Sequence, residues 1–224
     1  MHRAEQLDNL YIFKNTEGTP ENIRKFHPNI IVSSTGSAPL LPPIAGLKDR
    51  IDNEKHNIYS ILGMISHIND FPKDLEGKKV VVVGGGAVGL DVVEFFADRN
   101  ADISIVEMMD QIGRDLDPVS KNDTKTMMKK HNVHQLTKTA LLEVKDSSFL
   151  VRGDGEPYEL PFEYGFVCLG MRAQGQLYQN LTEEFSSEDV EIMNIGDSQR
   201  ARRIIDGTQE GRNILTILEQ RGYL

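Results

Sequence analysis

The sequence predicts an α/β fold built around a parallel βαβ unit, and three features in the middle of the chain support this prediction. Residues 78–83 (KKVVVV) are a nearly unbroken β-branched run, which is typical of a parallel strand buried on both faces. A glycine-rich turn at residues 84–89 leads into a segment with helical apolar periodicity. Residues 102–106 (DISIV) then provide a second strand, which gives the unit the length of about 30 residues expected of a βαβ motif.

The part of the chain before this unit is predicted to hold short elements. In order they are a strand at 10–13, a helix that starts at Thr19 and Pro20, a strand at 29–32 and a helix over 58–68. Residues 37–57 are interpreted as a surface crossing between two lobes. The reason is the stretch 39–43 (PLLPP), in which three prolines remove backbone donors.

The part after the unit is predicted to begin with a polar helix from Asp117 to about Lys130. Strands follow near residues 133–136, 139–145, 148–152 and 157–161, and they predict an antiparallel meander with a turn at 152–155. The chain then continues with apolar strands at 166–170 and 190–197 and a closing helix over about 203–221.

The composition excludes several classes of protein. The chain has 224 residues, of which 39% are hydrophobic and 26% charged, as in globular proteins of one or two domains. The net charge of −9 argues against a nucleic-acid partner, and the single cysteine excludes an internal disulfide and an all-Cys metal site. No apolar run approaches the roughly 20 residues of a membrane helix, and no signal-peptide core is recognisable. We therefore expect a cytoplasmic protein without a membrane partner or a metal ligand set.

The turn at residues 84–89 matches the GxGxxG pattern of dinucleotide-binding proteins. Gly84 permits a tight turn, Gly86 leaves room for a pyrophosphate, and Gly89 permits close packing of the helix on the strand. The helix N-terminus would present free N–H groups to the phosphates. The whole turn is therefore the candidate cofactor site, namely Gly84, Gly85, Gly86, Ala87, Val88 and Gly89.

Glu107 is the candidate ligand of the adenosine ribose. It follows the second strand and lies 107 − 89 = 18 residues beyond the last glycine, close to the expected spacing of about 20. Its charge would repel a 2′-phosphate, and the nearest downstream arginine is Arg114, so NAD(H) is favoured over NADP(H). Two alternatives remain open, a tight turn without a ligand and an adenosyl-dependent methyltransferase with a similar loop.

Four segments, in order, resemble those of flavoproteins that bind two dinucleotides. Residues 32–39 (VSSTGSAP) resemble the ATG-x-x-P segment, 84–89 the NAD loop, 167–172 (VCLGMR) the ALGxRP segment and 195–197 (IGD) the GD segment. This order is similar to the pyridine-nucleotide–disulfide oxidoreductase superfamily. Within it the chain resembles the C-terminal module of old-yellow-enzyme-like iron–sulfur flavoproteins, the group of enoate reductase, 2,4-dienoyl-CoA reductase and NADH oxidase. Residues 202–211 (RRIIDGTQEG) resemble the tail of that group.

The resemblance implies a domain organisation. Residues 72–176 would form a Rossmann-like NAD(H)-binding domain. It would be inserted in a partial FAD-binding domain made of residues 1–71 and 177–224. A first GxGxxG, which would hold the ADP half of FAD, is absent from the sequence. The FAD-type domain is therefore expected to be truncated, without its first dinucleotide βαβ unit.

The resemblance also implies further cofactor contacts. Asp197, next to Gly196, matches the acid that hydrogen-bonds the FAD ribityl chain. Thr35 and Gly36 match a turn near flavin and nicotinamide, and Gly170 matches a glycine whose backbone approaches the NAD. Asp91 stands where the group usually has a glutamate near the nicotinamide ribose. No catalytic side chain is assigned, because hydride transfer between cofactors needs no general base.

These observations predict an NADH-binding electron-input module of a flavoprotein oxidoreductase that passes a hydride to FAD. A fragment of a longer enzyme, inactive when isolated, is favoured over a shortened natural relative. The resemblance places FMN and an iron–sulfur cluster in a missing N-terminal barrel domain of the same polypeptide. A homo-oligomer remains open. The alternative is a stand-alone, non-catalytic NAD(H)-binding or scaffold module.

Overall fold

The computed structural model describes residues 6–223, which form two compact units. The central unit is Ala38–Arg172, and the terminal unit consists of the described residues of Met1–Ser37 and Ala173–Leu224. The sequence placed the domain boundaries elsewhere, at 71/72 and 176/177. None of the helices in the described residues combines the length and the apolarity needed to cross a membrane.

The chain alternates helices and strands in the order typical of an α/β protein. The strands are β1 (Ile30–Ser33), β2 (Ser37–Pro39), β3 (Ile58–Tyr59), β4 (Lys79–Val83), β5 (Asp102–Val106), β6 (His134–Leu136), β7 (Ala140–Val144), β8 (Ser148–Arg152), β9 (Tyr158–Pro161), β10 (Tyr164–Val167), β11 (Met171–Ala173) and β12 (Glu191–Asn194). The helices are α1 (Pro20–Arg24), α2 (Leu47–Arg50), α3 (Ile61–Ser66), α4 (Ala87–Ala97), α5 (Pro118–Lys130), α6 (Gln176–Glu184) and α7 (Ile204–Gln220).

The central unit is built on a five-stranded parallel sheet in the order β3-β10-β4-β5-β6. Alternate residues of β4 pack into different cores because a strand presents its side chains to both faces. Val80 and Val82 pack with α4 residues such as Phe96, whereas Val81 and Val83 pack into a second core. The predicted βαβ unit and the α/β fold class are confirmed.

A three-stranded antiparallel sheet, β7-β8-β9, contributes side chains to the second core of the central unit. Val144, Phe149 and Val151 are fully buried there with Val81 and Val83. The predicted meander was wrong at its start, because residues 134–136 belong to the parallel sheet, where His134 pairs with Ser104 of β5. β6, which follows α5, has only three residues, so its pattern of polar and apolar side chains is too short to predict which strand it pairs with.

The predicted crossing at residues 37–57 was also wrong, because this segment is part of the core of the central unit. Leu47 on α2 is fully buried, and Ile51 and Ile58 are buried beside it. The helix predicted over residues 58–68 is divided, since β3 joins the edge of the parallel sheet and Ser60 then caps α3 through its hydroxyl. Burial of these residues explains why the compact unit starts at Ala38.

The terminal unit contains a two-stranded parallel sheet, β1 with β12, in which Ile30 pairs with Glu191. Its core is small and consists of Ile31, Leu181 and Phe185, with partly buried residues from α1 and α6 around it. The strands β2 and β11, where the chain passes between units, pair with each other.

The strand predicted at residues 10–13 is absent, although the four residues are apolar or aromatic. All four side chains are exposed, by 43% to 77%, and no other strand pairs with them among the described residues. Phe13 instead contacts Phe26, with ring centroids 5.1 Å apart. A short apolar run forms a strand only where a neighbouring strand accepts its hydrogen bonds, and here none does.

Candidate functional site

The candidate site of the central unit lies at the carboxyl ends of its parallel strands. Residue pairing aligns the ends of β10, β4, β5 and β6, so the residues that follow these strands share one edge of the sheet. Ligands of open α/β sheets bind at this edge. Residues 84–89 follow β4, Glu107 follows β5 and Gly170 lies shortly after β10.

Two glycines of the turn are required by close backbone contacts. Gly84 has a φ of +110°, and a Cβ there would lie 2.1 Å from the carbonyl oxygen of Cys168. A Cβ on Gly89 would lie 1.9 Å from the carbonyl oxygen of Gly84. Side chains at these positions would push the turn away from β10 or the helix away from the turn. The structure therefore gives both glycines the packing functions expected of a GxGxxG turn.

Gly86 differs from these two because its outer side is open. In the described part of the chain, no heavy atom lies within 4 Å of the position that its Cβ would occupy. Gly86 is also the N-cap of α4, and no side chain caps this helix among the described residues. The first hydrogen bond of the helix runs from Leu90 N to Gly86 O at 3.1 Å, which leaves the preceding N–H groups at Ala87 and Val88 without intrahelical acceptors. This arrangement suits an anion.

Glu107 contacts the glycine turn directly. Its Oε2 accepts a hydrogen bond from Gly85 N at 2.6 Å, and its Oε1 accepts one from Met109 N at 2.7 Å. Its backbone is fixed as well, since Glu107 N donates to Leu136 O and Thr139 N donates to Glu107 O, both at 2.9 Å. A carboxylate has about four lone-pair sites, so two of them remain available to hydroxyl donors.

The residues after Glu107 form an exposed, partly apolar surface beside the turn. Met108 is 68% and Met109 40% exposed, and Asp110 is exposed too. Gly113 N donates a hydrogen bond of 2.7 Å to Gly85 O, which brings this segment back to the turn. The contact was not predicted from the sequence, because nothing local links Gly113 to a turn 28 residues earlier (113 − 85 = 28).

Asp91 lies in the second turn of α4 and lines a cleft of about 340 Å³ that residues of α4 and α5 enclose. Partial desolvation raises the pKa of its carboxyl group, and the negative charge of Glu94 raises it further.

Cys168 is buried, and burial together with the nearby charge of Asp91 raises the pKa of its thiol to about 12. The thiol is therefore protonated at neutral pH and packs as a small apolar group.

Gly170 lies at the same edge of the sheet as the glycine turn. It has a φ of +106°, is exposed, and accepts a hydrogen bond of 2.9 Å from Leu40 N. No heavy atom of residues 6–223 lies within 4 Å of the position that a Cβ would occupy here, so the Gly170 backbone is accessible. Of the residues proposed for the nucleotide, the structure thus brings the glycine turn, Glu107 and Gly170 together in the central unit.

The four predicted residues of the terminal unit form a second cluster at the carboxyl ends of β1 and β12, namely Thr35, Gly36, Gly196 and Asp197. Gly36 and Gly196 both have positive φ, +75° and +66°. Thr35 Oγ1 donates to Gln174 O at 2.6 Å. Asp197 accepts one hydrogen bond from Ser37 Oγ at 3.0 Å and another from Arg202 N at 3.1 Å.

Glu210 belongs to this second cluster, although sequence analysis did not select it. Its Oε2 accepts a hydrogen bond from Gly196 N at 2.6 Å, and its Oε1 pairs with Arg202 at 2.5 Å. The Gly196 N–H and the Arg202 charge together lower the pKa of Glu210. Glu210 lies on α7, 14 residues after Gly196, and no local sequence pattern indicates that its side chain contacts this turn.

Comparisons with known proteins identify what this chain is similar to. The family described as "Pyridine nucleotide-disulphide oxidoreductase" matches residues 8–193. A metal reductase of Desulforamulus reducens is 26% identical in an alignment that covers 88% of this chain and 32% of that protein. An NADH oxidase of Thermoanaerobacter brockii is 26% identical over 192 residues, which cover 85% of this chain and 28% of the relative.

Two solved structures have the same fold over most of the chain. A 2-naphthoyl-CoA reductase complex superposes with a TM-score of 0.72 at 22% identity and covers 88% of this chain and 28% of the other. Histamine dehydrogenase from Rhizobium sp. 4-9 has a TM-score of 0.72 at 14% identity, with coverages of 95% and 35%. The chain thus spans between 28% and 35% of the length of these four proteins.

Proposed function

Because this chain belongs to the pyridine nucleotide-disulphide oxidoreductase family, we propose that it is the NADH-binding electron-input module of a flavoprotein oxidoreductase. Family membership implies that FAD and NAD(P) are its cofactors, and its named relatives include an NADH oxidase and reductases. The observation on which the proposal rests is the contact between Glu107 and the glycine turn at the carboxyl end of β4.

The nucleotide would bind across the edge of the parallel sheet in the central unit. The uncapped N-terminus of α4 would hold the pyrophosphate, and the open side of Gly86 would let it approach the backbone. The two lone-pair sites that Glu107 keeps free would accept the ribose hydroxyls. Gly170 would lie along the same nucleotide, and Asp91 near its nicotinamide ribose. NADH supplies the hydride, and the chain contributes binding and orientation.

The nucleotide is proposed to be NADH rather than NADPH. A 2′-phosphate would lie next to the Glu107 carboxylate, so it would meet a negative charge, and Asp110 follows three residues later in the sequence. The first arginine after Glu107 is Arg114, seven residues on (114 − 107 = 7). We expect calorimetry to show NADH binding at least about tenfold tighter than NADPH, which corresponds to about 1.4 kcal/mol. Equal affinity for both would contradict this choice.

FAD is proposed to contact the second cluster, at the ends of β1 and β12. Thr35, Gly36, Gly196 and Asp197 would line this part of the site. Ser33 Oγ, at the end of β1, is buried and has no hydrogen-bond partner among residues 6–223, which is unusual for a buried hydroxyl and fits a site that lacks its ligand or part of its protein. In the described part of the terminal unit, the parallel sheet has two strands, β1 and β12, so we propose that this unit is a truncated FAD-type domain.

We further propose that the module works within a longer polypeptide. The chain spans about a third of the length of the metal reductase and the NADH oxidase, which leaves room for a barrel domain carrying FMN and an iron–sulfur cluster. On this proposal the 224-residue chain alone binds NADH but holds no stoichiometric FAD and oxidises NADH only negligibly. Copurification with stoichiometric FAD, together with NADH turnover, would contradict the truncated site.

The test of the nucleotide site uses Gly86→Val. Among residues 6–223, no heavy atom lies within 4 Å of the position of the new Cβ, and the φ of −79° is compatible with valine. The fold should therefore persist while the pyrophosphate path is blocked. We expect loss of NADH binding by at least about tenfold in calorimetry. Gly155→Val is the matched control, because Gly155 is equally open but lies in the turn between β8 and β9. Unchanged NADH affinity in Gly86→Val would contradict the proposed site. If the wild-type chain binds S-adenosylmethionine and not NADH, the chain is a methyltransferase instead.

A further inference from the structure

The middle glycine of the turn, Gly85, is held at both of its backbone polar groups by one segment of the chain. Gly85 N donates to the Glu107 carboxylate at 2.6 Å, and Gly85 O accepts from Gly113 N at 2.7 Å. Residues 107–113, here termed the strap, therefore fix the peptide groups on either side of Gly85. The geometry points to a second function for Glu107, and we propose that it is a positioning residue that sets the conformation of the glycine turn.

The strap is itself anchored to the sheet, so it can transmit a fixed geometry. Met109 N donates to Glu107 Oε1 at 2.7 Å, and Met109 O accepts from Lys138 N at 2.9 Å. The Glu107 backbone bonds to Leu136 and Thr139, at the end of β6. The Glu107 carboxylate thus joins two turns, one after β4 and one after β5, each fixed at its strand.

The hydrogen bond to Gly85 also decides which N–H groups face a nucleotide. Gly85 N is occupied by Glu107, whereas the N–H groups of Ala87 and Val88, at the uncapped N-terminus of α4, have no intrahelical acceptor. Without the carboxylate, Gly85 N would lose its acceptor and the turn could rotate, because glycine has few steric restrictions. A Cβ on Gly85 would lie 3.0 Å from Glu107 Oε2 and 3.1 Å from Ile112 Cγ1, so this site tolerates little change.

The inference rests on the proposed nucleotide site but differs from ribose binding, since it predicts an effect of Glu107 on ligands without ribose hydroxyls. The probes are ADP and 2′,3′-dideoxy-ADP, measured by calorimetry with the wild-type chain and with Glu107→Ala and Glu107→Gln. We expect Glu107→Ala to weaken dideoxy-ADP by about tenfold or more, because two hydrogen bonds to a charged group are lost. Glu107→Gln keeps one acceptor oxygen, so its loss should be smaller.

Amide hydrogen exchange of the ligand-free chain provides the second readout. In Glu107→Ala the N–H groups of Gly85 and Met109 both lose their acceptor, and their exchange should accelerate by about tenfold or more. Glu163→Gln is the matched control, because Glu163 Oε2 accepts a hydrogen bond from Lys79 N at 2.7 Å at the opposite end of β4. This variant should leave ADP affinity and the exchange of Gly85 unchanged.

Each outcome decides between the two functions of Glu107. If the variants weaken ADP but leave dideoxy-ADP affinity and amide exchange unchanged, Glu107 is only a ribose ligand and the inference is overturned. If the wild-type chain binds neither nucleotide, the proposed function fails. The exchange of Gly85 and Met109 then decides alone, since faster exchange in Glu107→Ala supports the positioning function and unchanged exchange rejects it.

Discussion

At the scale of single residues, the glycine turn contains two positions at which any side chain would clash with the backbone. Gly84 and Gly89 contact backbone carbonyls that cannot move without disturbing a strand, whereas Gly86 faces open space. The GxGxxG spacing predicted the close packing at Gly84 and Gly89, and the room for a pyrophosphate at Gly86 stays a prediction. It could not predict the partners of Glu107 and Glu210, since these carboxylates reach turns that lie 22 and 14 residues away in sequence.

Gly89→Ala tests the close packing of α4. Alanine in a helix gains about 1 kcal/mol over glycine, but its Cβ would lie 1.9 Å from Gly84 O, and the resulting displacement costs about 1–3 kcal/mol. We expect a net loss of up to about 2 kcal/mol in the free energy of unfolding by urea denaturation. Gly155→Ala, at an open position, should not be destabilised. A Gly89→Ala chain as stable as the wild type would show that the helix shifts freely.

Glu210 should make stability depend on pH in the acidic range. Its pKa in the folded chain is lowered by Gly196 N–H and by Arg202, so the folded state binds its proton less readily than the unfolded state. The stabilisation is therefore present above the unfolded pKa of about 4.3 and is lost as the pH falls through the folded pKa. Glu210→Gln should be less stable than the wild type at pH 7, and the difference should shrink below pH 4.

The measurement is the free energy of unfolding from urea titrations between pH 3 and pH 7. The matched control is Glu219→Gln, which changes a carboxylate near the end of the same helix, α7. Parallel pH profiles for the wild type and Glu210→Gln would show that the hydrogen bond from Gly196 N adds no stability.

At the scale of elements, β4, α4 and β5 were predicted with nearly the observed bounds because their signals are local. A buried parallel strand is uniformly apolar, and α4 repeats its apolar residues with the helical period. The signal for α6 was present too and was missed, since Leu177, Leu181 and Phe185 lie four residues apart and face the core of the terminal unit. The pairing of β6 with β5 could not be read locally, because it depends on the path of the chain after α5.

The antiparallel sheet β7-β8-β9 should be essential to the stability of the central unit. Phe149 of β8 is fully buried and contacts Phe162, with ring centroids 4.5 Å apart. Phe149→Ala should lower the free energy of unfolding by about 3–5 kcal/mol because a large cavity would remain. Tyr158→Ala on the neighbouring β9, where the side chain is 41% exposed, should cost less than about 1 kcal/mol. Similar losses in both variants, measured by urea denaturation, would contradict this view of the second core.

At the scale of the whole molecule, the two units divide the proposed cofactor contacts between them. The glycine turn, Glu107, Asp91 and Gly170 lie in the central unit, and Thr35, Gly36, Gly196 and Asp197 lie in the terminal unit. The sequence predicts that the inserted domain starts at residue 72, whereas the compact unit starts 34 residues earlier, at Ala38 (72 − 38 = 34). The burial of Leu47 and Ile58, which places them in the compact unit, leaves no periodic signal in this proline-rich part of the sequence.

The central unit should therefore fold and bind NADH by itself. Residues 38–172 contain two buried cores and the complete glycine turn with its strap. We expect a chain of these residues to show cooperative thermal unfolding and to bind NADH within about threefold of the full-length affinity, a change of about 0.6 kcal/mol. An unfolded product would show that the terminal unit is needed for folding. A folded product without NADH affinity would place essential contacts outside the central unit.

The strand order of the parallel sheet has a consequence for the newly made chain. β10 lies between β3 and β4 in the sheet, but it is the last of the five strands to be synthesised. Val80 of β4 pairs with Tyr164 of β10, so 84 further residues (164 − 80 = 84) must be added before this pair can form. At roughly 5–20 residues per second of synthesis, this interval lasts about 4–17 s. During this time β4, the middle strand of the finished sheet, is an edge strand whose backbone N–H and C=O groups are unpaired on one side. Its valine run can therefore pair wrongly with another strand or bind a chaperone while the chain is still on the ribosome.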